Sequence, residues 1–159
     1  MRLEHEELDA IGEIVATRFF INEGWKFSSL RDIERITGTL DDLDEQYNRY
    51  PQMGRDWYVS NSANKRVHMC ETWRDLERLV SFLNGSGDVF DFVLRIDGRG
   101  IIFCMIVTKG EKMSREQINA IKEARVAGYS VYVFDVKIPS EIEFELTQAT
   151  GAYQISSQF

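Results

Sequence analysis

Cysteine, histidine and long apolar runs are all scarce in this chain, and each shortage excludes something. Cys70 and Cys104 are the only cysteines among 159 residues. They stand far apart with no metal-ligand spacing around them, so no cysteine-based metal site is expected. Cys104 lies inside an apolar run and reads as a small core residue. The two histidines, His5 and His68, each lack a partner at metal-ligand spacing. No segment approaches the apolar length that spans a membrane, and the N-terminal stretch MRLEHEELDA is too acidic for a signal peptide. A cytoplasmic protein with no membrane partner is therefore expected. Internal repeats, low-complexity segments, a P-loop and a dinucleotide fingerprint are all missing. Gly98-Arg99-Gly100 reads as a hairpin turn rather than a phosphate cradle. The acidic run Asp41, Asp42, Asp44 and Glu45 lacks the glycine and the spacing of a calcium loop.

Positive charge is in short supply too. The chain carries 19 Lys and Arg against 26 Asp and Glu, a net charge of -7. That balance argues against tight non-specific DNA binding. Between Gln46 and Val80 the local balance reverses, with Arg49, Arg55, Lys65, Arg66, Arg74 and Arg78 against Asp56, Glu71, Asp75 and Glu77. Such a surplus is compatible with a phosphate-facing patch and equally with a salt-bridged surface.

What is present is the composition of a folded domain: 43% hydrophobic and 28% charged residues, with length enough for one core. The stretch from Asp88 to Val136 organises the rest. Phe90 to Ile96 and Ile101 to Thr108 read as two strands, joined by the turn Asp97-Gly98-Arg99-Gly100. The second strand is almost wholly apolar, as a strand buried on both faces should be. Ser114 starts a helix with Gln117 as its capping-box partner. Ile118, Ile121 and Ala124 form the apolar stripe of that helix, and Gly128 ends it. Val131 to Val136 is a third strand reached by a crossover, which should be right-handed.

Charges bracket this unit. Asp91 starts the first strand and Lys109 closes the second, so an antiparallel hairpin brings them into one neighbourhood. A carboxylate and an ammonium there suit a divalent metal and a positioned water. They equally suit a strand-end lysine that reaches solvent and an aspartate that caps a turn.

Upstream, residues 3 to 23 read as a helix whose packed face carries Leu8, Ile11, Val15 and Phe19, with Ile14 beside them. Gly24 is its C-cap, and Trp25-Lys26-Phe27 a short strand. Glu13 falls on or beside the packed face. The segment from about 29 to 87 is the least legible. Ser29 is read as capping a short helix through Arg35, and Thr39 another through Asn48, with the acidic run in its first turn. Asp56-Trp57-Tyr58-Val59 and the residues after it read as a strand and turn. Tyr47, Tyr50, Trp57 and Tyr58, interleaved with Arg49 and Arg55, either stack on bases or fill a core. Glu71 to Leu83 is a helix with Trp73, Leu76, Leu79, Val80 and Leu83 on one face, ended by Asn84-Gly85-Ser86-Gly87. His68 falls on a surface strand or loop. Ser140 to Leu146 reads as a short helix or an added edge strand, and Gly151 to Phe159 as a tail.

The order of these pieces resembles the PD-(D/E)XK nucleases, and most of all their Holliday-junction-resolvase and VRR-NUC-like branches. Three segments carry the resemblance: residues 8 to 30, 88 to 110 and 111 to 136. Gly12-Glu13-Ile14-Val15-Ala16 through Gly24-Trp25 is similar to the family's first helix, with Glu13 at the matching glutamate. Phe90-Asp91 stands where the family has Pro-Asp, Lys109 at the motif lysine, and Gln117 at the polar residue of the following helix. The resemblance implies an α/β fold of restriction-endonuclease-like type, three layers deep, with a central mixed sheet flanked by helices. It implies one nuclease-like domain over residues 1 to 159, interrupted by a partly helical insertion at about 29 to 87. The motif's second carboxylate is missing, because Val107 occupies its position. Some restriction enzymes of the family supply the lost carboxylate from the next helix, which makes Glu123 the candidate here and Glu116 the next.

The function this implies is magnesium-dependent hydrolysis of phosphodiester bonds in DNA. Asp91, Glu13 and Glu123 would hold Mg²⁺, Lys109 would orient the attacking water, and Gln117 would steady the site. The alternative is a catalytically inactive nuclease-fold protein kept as an interaction or regulatory module. A homodimer is compatible with either, and a dimeric scaffold without any nucleic-acid role is a third reading.

Overall fold

The computed structural model describes residues 1–30, 33–62, 69–86, 89–108 and 112–149. Its frame is a four-stranded mixed sheet of β1 (Lys26–Ser29), β2 (Phe92–Ile96), β3 (Gly100–Thr108) and β4 (Ser130–Val136), in that spatial order. β1 and β3 flank β2 antiparallel, and β4 lies parallel to β3. The β2–β3 hairpin turns through Asp97 to Arg99, where Arg99 N–H donates to the Ile96 carbonyl at 2.9 Å. α5 (Arg115–Val126) makes the connection from β3 to β4.

Side chains of β3 alternate between two cores, as the two-residue period of a strand requires. Ile102 and Cys104 join Phe92 and Leu94 of β2 under Ala16 and Phe20 of α1 (His5–Glu23). Phe103 and Met105 join Val93 on the opposite face. That second core is completed by α5 with Ala120 and Ala124, and by α2 (Ile33–Arg49), α3 (Arg55–Asn61) and α4 (Trp73–Ser86). A single 3₁₀ turn, Pro51–Met53, separates α2 from α3. The fold is thus α/β, with helices on both faces of the sheet.

The segment read as an insertion forms much of this second core. Leu43, Tyr58, Val59, Leu76, Leu79 and Leu83 from α2, α3 and α4 are all buried in it. The two short helices expected between Ser29 and Asn48 are one continuous helix, α2. Gly38 lies inside it at a cost of about 1 kcal/mol, outweighed by packing of Leu40, Leu43 and Tyr47 on the core. The acidic run therefore sits in the middle of α2, not in its first turn. The strand expected at Asp56–Val59 is helix α3, because burying Tyr58 and Val59 overrides the β preference of the local sequence. Asp56 Oδ1 accepts the Trp73 N–H at 2.8 Å, which ties α3 to the start of α4. α4 also runs on through Gly85 to Ser86, three residues beyond the Leu83 at which it was expected to end.

α1 rests on the sheet by a stripe that keeps Leu8 of the expected one but not Val15 or Phe19. Leu8, Gly12, Ala16 and Phe20 are buried, whereas Ile14 is 67% exposed and Val15 and Phe19 are also exposed. Gly12 and Ala16, small residues in the middle of this stripe, let the helix lie close to β3: a Cβ on Gly12 would be 3.1 Å from the Cγ2 methyls of both Ile106 and Thr108. Gly24 closes the helix in the left-handed conformation, φ 72°, as a glycine C-cap does.

The aromatic and basic residues of the 46–80 region are mostly engaged within the protein. The Arg55 guanidinium lies 4.5 Å from the centre of the Tyr47 ring and 5.0 Å from that of Trp73. It also pairs with Asp44 and Glu77. Arg49 pairs with Glu45 at 2.6 Å, and Tyr58 is buried, while Tyr50 and Trp57 are exposed. Lys65, Arg66 and His68 lie outside the described residues.

Ser140 to Leu146 is neither helix nor strand. Its backbone meets the N-terminus instead, with Ile142 N–H donating to the Met1 carbonyl at 2.8 Å. The proposed tail from Gly151 lies outside the described residues. Among the described residues no helix is long and apolar enough to cross a membrane.

Candidate functional site

Asp91 is fixed by the backbone on both sides. Its N–H donates to the Cys104 carbonyl at 2.9 Å, and its carbonyl accepts from Leu30 N–H at 3.0 Å. These bonds hold it at the end of the sheet, just ahead of β2. Its side chain then reaches β3, where Oδ2 accepts the Ile106 N–H at 2.7 Å. A carboxylate receiving a backbone N–H makes a charge-assisted bond, which limits the freedom of the group. The charge of Asp91 is felt next door. Burial first, and Asp91 second, push the Cys104 thiol up to about 12.

Glu13 reaches the same place from α1. The close approach of Gly12 to Ile106 and Thr108 sets the distance of α1 from the end of β3, and Glu13 is the next residue along. It is half-buried. Gln117 arrives from the first turn of α5. Its Oε1 accepts the Ser114 N–H at 2.9 Å, and Ser114 Oγ accepts the Gln117 N–H at 3.1 Å. The cap occupies the carboxamide oxygen, so the amide nitrogen is what Gln117 offers to a ligand.

These side chains line one cleft of about 230 Å³. His5, Asp9 and Glu13 come from α1, Val89 and Asp91 from the approach to β2, Ile106 to Thr108 from the end of β3, and Lys112 and Gln117 from the start of α5. Three carboxylates, an ammonium, an imidazole and a carboxamide thus share a single wall.

Glu13, Asp91 and Gln117, which the sequence singled out, come together here, and Val107 stands in the same wall. Lys109 lies outside the described residues. Glu123 does not line the cleft; its side chain is exposed on α5. At about 100° per residue it lies roughly 240° around the helix from Gln117, so a helix that turns Gln117 toward the cleft turns Glu123 away. Glu116 is exposed as well and does not line the cleft.

His5, Asp9 and Lys112 were missed. His5 Nε2 lies 3.5 Å from Asp9 Oδ2. The signal available was the spacing of His5, Asp9 and Glu13, each four residues apart on one helix and therefore on one face.

The donors are hard oxygens, which suit magnesium held by one or two carboxylates together with substrate phosphate and water. They do not form a protein-only cage: among the described residues no three His, Cys, Asp or Glu side chains gather closely enough to hold an ion.

Comparison of the chain with models of protein families, with curated proteins and with solved structures finds no match.

Proposed function

We propose that this protein is a magnesium-dependent phosphodiesterase of restriction-endonuclease-like type that acts on DNA. The observation that carries the reading is convergence. Glu13, Asp91 and Gln117, from three elements far apart in sequence, line one cleft at the end of β3. Their order along the chain is that of the PD-(D/E)XK nucleases.

In this reading Asp91 and Glu13 would be the residues that hold the ion. Bound magnesium supplies charge neutralisation at the phosphate and a more acidic water. The chain's own residues do the positioning. The N–H of Asp91 and its carboxylate bond to Ile106 keep that side chain fixed before substrate arrives. The carboxamide N–H of Gln117 donates to a non-bridging phosphate oxygen. Lys109, the residue after β3 in the sequence, orients the attacking water. The acidic wall leaves little affinity for a polyanion without the cation, so DNA binding is expected to require magnesium.

Calorimetric titration of magnesium and of manganese, with Asp91→Ala as control, tests the site. Cleavage is then assayed on branched, single-stranded and duplex DNA. Metal binding lost in the variant, together with metal-dependent cleavage, supports the proposal; no binding at millimolar metal sinks it.

Val107 favours a second reading, a non-catalytic module of the same fold that uses the cleft for binding. A valine side chain supplies no ligand where the family has a carboxylate. Metal-dependent DNA binding without cleavage of any of the three substrates would select this reading.

A further inference from the structure

We infer that His5 and Asp9 form an acid–base pair at the mouth of the cleft, with His5 as the proton donor to the leaving oxygen. The inference rests on the phosphodiesterase reading above. His5 and Asp9 occupy successive turns of α1, with Nε2 and Oδ2 3.5 Å apart. Each is more than half exposed, at 68% and 54% of the side chain, yet both line the same cleft as Asp91 and Glu13. The pair is therefore open to a bound substrate while held to one side of the site by the helix.

Among the described residues, the charged groups that line the cleft with His5 are Asp9 and Glu13 on its own helix, Asp91 ahead of β2 and Lys112 ahead of α5. Ionised carboxylates accept hydrogen bonds and have no proton to give. An imidazole is the side chain that carries and releases a proton near neutrality. Asp9 Oδ2 faces Nε2 of the ring at 3.5 Å, which favours one orientation of the imidazole.

In the step assigned to His5, the water oxygen forms a bond to phosphorus and its proton passes to solvent. The bond from phosphorus to the leaving sugar oxygen breaks, and that oxygen takes the imidazolium proton. Solvent then reprotonates the ring, so the turnover consumes one water and no other reactant. Asp9 acts as a positioning residue.

The test compares two substrates that differ in leaving group: a thymidine dinucleotide and thymidine 5′-(4-nitrophenyl) phosphate, each with magnesium. The sugar alkoxide needs a proton as it leaves; nitrophenolate does not. His5→Gln is expected to slow the dinucleotide by about 100-fold, the low end for general acid catalysis. It should leave the nitrophenyl ester almost unchanged, and the alkaline limb of the dinucleotide pH profile should vanish. Asp9→Asn should lower kcat on the dinucleotide by about 3-fold with KM unchanged, as for loss of an exposed pair. Equal losses on both substrates, or an unchanged alkaline limb in His5→Gln, would overturn the role of His5. If wild type cleaves and Asp91→Asn does not, the phosphodiesterase reading survives that failure. If wild type cleaves neither of these small substrates, the role of His5 is overturned, and the phosphodiesterase reading stands or falls by cleavage of branched, single-stranded or duplex DNA.

Discussion

The carboxylate of Asp91 accepts the backbone N–H of Ile106 at 2.7 Å, across the start of the β2–β3 pairing. One side chain thereby both closes the end of the sheet and presents its charge to the cleft. The two roles can be separated. Asp91→Asn keeps an oxygen acceptor for Ile106 and should hold stability close to wild type. Asp91→Ala removes it and should lower stability by about 1 kcal/mol, read from urea unfolding. Both substitutions should abolish magnesium binding by calorimetry. Equal stability of the two variants would show that the bond to Ile106 contributes nothing.

Gly12 and Gly38 are both inside helices, and alanine should act on them in opposite directions. At Gly38 an added Cβ meets nothing within 4 Å, so Gly38→Ala should stabilise by about 0.5–1 kcal/mol. At Gly12 the same helical gain is opposed by two methyls at 3.1 Å. Overpacking of this kind costs about 1–3 kcal/mol, and Gly12→Ala should destabilise. Stabilisation of both variants in thermal melts would mean that α1 shifts easily on β3.

Val107 is half-buried in the cleft wall where a motif carboxylate is expected. Val107→Glu should add a ligand and raise magnesium affinity about tenfold, since affinity follows the number of charged ligands. Calorimetry of the variant beside wild type measures this directly. Unchanged affinity would indicate that position 107 does not face the ion.

Leu76 is 1% exposed in α4, within the segment that sequence reasoning read as an insertion. Leu76→Ala should cost about 2–5 kcal/mol, the range for a large cavity in a core. A loss below about 1 kcal/mol in urea unfolding would show that this segment is an appendage after all.

Cys70 and Cys104 are free thiols, both pushed up to about 12 chiefly by burial, from an ordinary value of 9.0. The folded state keeps these protons after the unfolded chain has begun to lose them. Their contribution to stability is therefore complete below pH 9 and is lost as pH rises toward 12. Thiol labelling at pH 8 should be slow in the native protein and fast in urea. Rapid labelling without denaturant would contradict the burial of both.

The sequence by itself determined the β2–β3 hairpin, the capped helix α5, strand β4, the glycine stop of α1 and the apolar face of α4. These are local matters: turn glycines, a Ser-x-x-Gln cap and simple periodicity leave little for distant contacts to decide. It also picked out Glu13, Asp91 and Gln117, because a motif is a pattern in sequence order. Only the tertiary structure decided which side of α1 is buried. Apolar residues surround that helix, and the close approach to β3 selects the stripe Leu8-Gly12-Ala16-Phe20, with its two small residues at the contact, leaving Ile14 outside. Tertiary packing likewise merged two expected helices into α2, and turned an expected strand at Asp56–Val59 into α3, by burying Leu43, Tyr58 and Val59. The partnership of His5 with Asp9 at the cleft was decided in the same way. Four-residue spacing puts two side chains on one face of a helix, but the sheet against which that helix lies determines what the face confronts.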